Sequence, residues 1–137
     1  MIPVLALLLL VLPDITTVKS EPDLERRSEL ALAHADRDID VLKEAFSGGD
    51  EKAEQQALVE VRELEDVSYD ALEHSKQAPR RSKYYKSAEL HLRALLRRLN
   101  SFREQVGFDG REAVDAVIKR VSDVHDELLS AIMSKKK

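Results

Sequence analysis

Four histidines, a run of alternating aspartates and one basic cluster are the residues of this chain with the widest chemical reach. His34, His74, His91 and His125 fall one to each of four helical segments. A metal site inside a helix bundle draws on Glu-x-x-His pairs projecting inward at one level. Here the residues three before the histidines are Ala31, Ala71, Ala88 and Ser122. His34 lies about 100° round its helix from Ala35 and is expected to face outward or sideways. His91 and His125 flank apolar stripes and are the only histidines placed for a semi-buried role. No metal site is expected.

Asp36, Asp38 and Asp40 imitate the opening of an EF-hand loop, which continues with a glycine and closes on a bidentate glutamate. Val41 and Ser47 occupy those two places. On a helix Asp38 points nearly opposite to Asp36 and Asp40, so the three are read as a solvated face. Asp123, Asp126 and Glu127 put carboxylates on adjacent turns, the common pattern of a helix exterior. The chain carries no GxSxG elbow, no HExxH and no phosphate-cradling glycine loop. It has no cysteine, which excludes disulfides and thiolate metal sites. Neither catalysis nor a cofactor is expected.

Arg80, Arg81, Lys83 and Lys86 surround Tyr84 and Tyr85, and basic residues interleaved with aromatics suit an anionic partner. The cluster opens a helix, whose free N–H groups would add to the attraction. Tyr85 belongs to the apolar stripe, so Tyr84 is expected to be the free aromatic. The partner expected is a protein or an anionic cell-envelope polymer or headgroup. Nucleic acid is disfavoured by a net charge of −4. The stronger reading is internal neutralisation, with this basic segment packed beside the acidic one before it.

Helices must position all of these groups. With 137 residues the chain allows one domain, and 35% charged with only 4% aromatic residues is a helical profile. Apolar residues recur by threes and fours in four segments, about 22–47, 50–78, 80–106 and 110–134. Pro22 suits a first turn, Gly48-Gly49 a stop, Asp50 an N-cap, and Pro79 ends what precedes it. Asp109 and Glu112 resemble a capping box, with Phe108 and Ala113 as its hydrophobic staple. The cleanest stripe is Tyr85, Ala88, Leu92, Leu95, Leu99, Phe102 and Val106. The expected fold is all-α, an up-down-up-down antiparallel four-helix bundle over residues 21–137. A rival joins the second and third segments into one helix kinked at Pro79.

Ile2 to Leu12 is nearly all aliphatic and ends at Pro13. As a helix it would reach roughly 16 Å, about half of a hydrocarbon core. It reads as a secretory leader cleaved after Ser20, although no Lys or Arg precedes the apolar run. The expected mature chain begins at Glu21 and is secreted or periplasmic. It is expected to act as a non-catalytic interaction or structural module; the alternative is a small-ligand or metal-binding bundle.

Overall fold

A computed structural model describes residues 14–134. Among these residues five helices pack together: α1 (Ile15–Lys19), α2 (Leu24–Ser47), α3 (Glu51–His74), α4 (Lys83–Gln105) and α5 (Phe108–Met133). Among the described residues there is no strand. The second and third segments are separate helices, so the kinked-helix rival is set aside.

Local chemistry sets most of the ends. Asp23 accepts from the Arg26 N–H at 3.2 Å and Asp50 from the Ala53 N–H at 3.1 Å. Pro22 therefore precedes the cap of α2 instead of standing in its first turn. Gly49, at φ 72°, turns the chain so that the Asp50 N–H reaches the Ala45 carbonyl at 2.9 Å. α3 stops at His74, earlier than Pro79 requires. Ser75 Oγ donates to the Leu72 carbonyl at 2.7 Å and Lys76 turns left-handed at φ 65°.

The start of α5 departs from the capping-box reading. Gly107 is the N-cap and makes no side-chain bond, so Asp109 sits inside the first turn. Phe108 is 89% exposed and staples nothing. The turn closes round buried Val106: a Cβ on Gly110 would lie 2.4 Å from Val106 Cγ1. A chain drawn in that tightly leaves Phe108 outside.

The apolar stripes meet in one continuous core that draws residues from all five helices. Every member of the α4 stripe, from Tyr85 to Val106, is buried. α2 and α3 form the most intimate pair and α4 and α5 the next. The small side chains of Ala31, Ala35 and Ala57 lie buried on the first pair and permit spacing near the ~8 Å lower end for helices. The pairs α3–α5 and α2–α4 close the remaining sides, α3 and α4 touch little, and α2 and α5 do not touch.

That arrangement overturns the expected charge pairing. Basic α4 pairs with α2, through Arg98 to Asp36 at 2.9 Å and to Asp40, and with α5, through Arg103 to Asp115. Acidic α3 pairs with α5, where Arg120 reaches Asp66 at 2.7 Å. Among the described residues no ion pair joins α3 to α4. Residues 75–82 can extend roughly 26 Å, well beyond the ~14 Å diagonal of four helices at 10 Å spacing, so α4 need not lie beside α3.

The aliphatic run Ile2–Leu12 lies outside the described residues. The stretch just after it, α1, packs on α2 and α3, with Val18 fully buried and Lys19 paired to Glu63.

Candidate functional site

The basic cluster stands where the chain enters α4. Arg80, Arg81, Lys83 and Lys86 are all exposed, and among the described residues none of them makes an ion pair. Their neighbours differ from the expectation in two ways. Ser82 Oγ accepts from the N–H groups of both Tyr84 and Tyr85, at 3.1 and 3.3 Å, so these donors are already engaged. Tyr84 is not free: its ring packs at the edge of the core with the Lys83 ammonium 5.3 Å from its centre. Tyr85 is buried and donates its hydroxyl to the Leu72 carbonyl at 3.3 Å. What remains for a ligand is side-chain charge.

The two histidines singled out for semi-buried roles part company. His91 is exposed. His125 is mostly covered and its Nε2 lies 2.7 Å from Glu89 Oε2, which also accepts from Arg93 Nη2 at 2.6 Å. Burial pushes the Glu89 carboxyl up, but the hydrogen bonds from His125 and Arg93 outweigh it and hold the group below the usual range. This is a satisfied ion cluster between α4 and α5. His74 caps the exposed end of α3, with Nδ1 2.8 Å from the Asp70 carbonyl.

His34 and Asp38 correct the reading most. Neither faces solvent: they are 9% and 6% exposed. Asp38 is about 60° from Ala35 round the helix and His34 about 100°, so the buried face of α2 is wider than its apolar stripe. His34 Nε2 lies 3.4 Å from Glu60 Oε1 of α3 and 3.8 Å from Asp38 Oδ2. The three ligand atoms all fall within 4.8 Å of one another. Burial, with the Glu60 carboxylate beside it, pushes the Asp38 carboxyl up to about 8. No sequence spacing signals this trio, because Glu60 joins from another helix.

Glu65 is a second buried acid on α3. It is fully buried, neither oxygen makes a hydrogen bond, and Arg120 Nε is 3.6 Å away. Burial first, then the adjacent Asp66 carboxylate, push it up to about 9. An open concavity of about 510 Å³ lies elsewhere, over Tyr69, Asp126, Glu127, Ser130, Ala131 and Ser134.

No family model, curated protein or solved structure matches the chain. The geometry of its own groups therefore carries any functional reading.

Proposed function

We propose that the chain is an exported, non-catalytic helical bundle that binds an anionic macromolecular partner through the start of α4. Its four long helices run alternately up and down, a reading supported by the contacts of Ser28 with Ser68 and of Arg98 with Asp36 and Asp40. One observation carries the binding surface. Arg98, Arg103 and Arg120 are tied to carboxylates of neighbouring helices, whereas Arg80, Arg81, Lys83 and Lys86 form no ion pair among the described residues.

Cell-envelope polymers and lipid headgroups match that chemistry, and export brings the chain to them. No described helix is long and apolar enough to cross a membrane. Cleavage after Ser20 would remove α1 and bare the surface of α2 and α3 that Val18 covers. N-terminal sequencing of the exported protein should begin near Glu21; Met1 intact would overturn the export reading.

Replacing Arg80, Arg81, Lys83 and Lys86 together by glutamine tests the surface. Wild-type retention on an anionic polymer should fall steeply with salt, since exposed charges are screened within ~8 Å at physiological ionic strength. The variant should not be retained. Equal, salt-insensitive retention of both proteins would overturn the assignment.

The alternative of a small-ligand or metal-binding bundle gains nothing from His91 and His125. What favours it is the group at His34.

A further inference from the structure

We propose that His34, Asp38 and Glu60 form a binding site for one divalent transition-metal ion, held between α2 and α3. Four physical observations converge on it.

The first is geometry. A metal about 2.0–2.1 Å from each ligand in a tetrahedral arrangement separates those ligands by roughly 3.3–3.4 Å. The distance from His34 Nε2 to Glu60 Oε1 is 3.4 Å, and to Asp38 Oδ2 it is 3.8 Å. All three ligand atoms lie within 4.8 Å of one another, so side-chain adjustments of about an ångström would close the set on an ion.

The second is an orphaned acceptor. Asp38 Oδ2 is buried, faces the imidazole and has no hydrogen-bond partner. A buried polar atom left unpaired is costly, more so when charged, and a cation at the centre of the trio would satisfy it. Arg37, on the same helix, also acts on Asp38 electrostatically, but its buried Nη1 makes no hydrogen bond. Arg37 alone does not complete the site.

The third is charge. Two carboxylates and a neutral imidazole around a divalent ion make a neutral group, which is the form a buried site tolerates. The fourth is ligand type. One imidazole nitrogen and two carboxylate oxygens favour a borderline ion such as Zn²⁺ over Ca²⁺, which prefers six to eight oxygens.

The placement is also rigid. His34 and Asp38 are one turn apart on α2, and the close pairing of α2 with α3 fixes Glu60 opposite them. The fourth coordination position is left for water or a ligand. The site shares no residue with the start of α4, so it stands or falls independently of the anionic-partner reading.

The test uses the full chain, treated with chelator and titrated with Zn²⁺, with Mn²⁺ and Ca²⁺ in parallel. One Zn²⁺ should bind per chain, raise the thermal midpoint and resist Ca²⁺ competition. Asp38→Asn and Glu60→Gln should each weaken binding by more than about a hundredfold, beyond the 10–100-fold typical of groups that merely support a ligand. Each variant's fold is checked by far-ultraviolet circular dichroism. Glu60 is the more accessible of the two carboxylates, so Glu60→Gln keeps the test valid if Asp38→Asn unfolds. His125→Gln should leave binding unchanged. The proposal is overturned if Zn²⁺ does not bind, in which case a shared proton serves the trio. Binding that survives Glu60→Gln, or that is lost with His125→Gln, overturns it equally.

Discussion

The two hairpins of the bundle solve the same problem, buried acid between paired helices, in opposite ways. In the α4–α5 pair, Glu89 is nearly buried, yet His125 and Arg93 hydrogen-bond it and keep it ionised. In the α2–α3 pair, Asp38 keeps an unpartnered oxygen, and so does Glu65 on α3 twice over. Burial raises their affinity for a proton without a matching donor to reverse it. Burial alone therefore does not set the state of a carboxyl; donors within reach decide it. The packing differs in parallel. α4 buries Leu92, Leu95, Leu99 and Phe102; α2 buries Leu32, Ile39 and Leu42, and adds the small Ala31 and Ala35 on its face toward the core. Alanine-lined contact brings backbones together and traps whatever polar groups lie at its edge.

The largest effect should come from the leucine-rich side. Leu99→Ala, at a fully buried position, should cost ~2–5 kcal/mol in chemical denaturation through lost burial and a residual cavity. A mild loss would mean that the two hairpins do not differ in how they fill space.

Glu65→Met should have the opposite sign. Replacing a buried carboxyl that makes no hydrogen bond by an apolar side chain removes a cost of about 1–3 kcal/mol, and Arg120 keeps Asp66. The pH dependence sharpens this. Glu65 is raised from 4.5 to about 9, so the folded state holds a proton that the unfolded chain has released between those values. Its contribution is fully present below 4.5 and is lost as the pH rises toward 9. The variant should lack that decline, so its advantage grows with pH. Parallel stability curves for the two proteins would refute the account.

Glu89→Gln probes the satisfied site and should cost about 1.5–3 kcal/mol at neutral pH, the range for hydrogen bonds to charged groups. Because the folded-state value of Glu89 is lowered, its contribution is present above the unfolded value and is lost as the pH falls through the folded one. The cost of Glu89→Gln should therefore shrink in acid, where that of Leu99→Ala persists. Smallest of all, glutamine at Arg80 or Lys86 should change stability by no more than about 0.5 kcal/mol. A larger loss at either would show a structural partner for a cation that pairs with no carboxylate among the described residues.

Periodicity, caps and breaks were legible because they are local. The α4 stripe from Tyr85 to Val106 is buried at every position read from its spacing, and Asp50 caps α3 as its type and place suggest. Each depends on neighbours within a turn or two. At the start of α5 the local signal misled: Asp109 and Glu112 had the letters of a capping box, but Val106, held in the core, moved the helix start to Phe108.

The candidate sites divide along the same line. That Arg80, Arg81, Lys83 and Lys86 form a cluster follows from their order in the chain. That none of them pairs with a carboxylate among the described residues was decided by the packing of α4, chiefly on α5 and α2. His34 and Asp38 belong to one helix and could be placed on its wheel, yet their burial required α3 to arrive at close range with Glu60 opposite. The amino-acid order by itself determined which residues are helical, where most helices stop and which stripe each one buries. Those are decided by backbone geometry and short-range hydrogen bonds. Only the tertiary structure decided which helices are neighbours, how much of each face is covered, and hence which charges are paired. Those outcomes depend on side chains far apart in sequence, and on the balance between burying a polar group and finding it a partner.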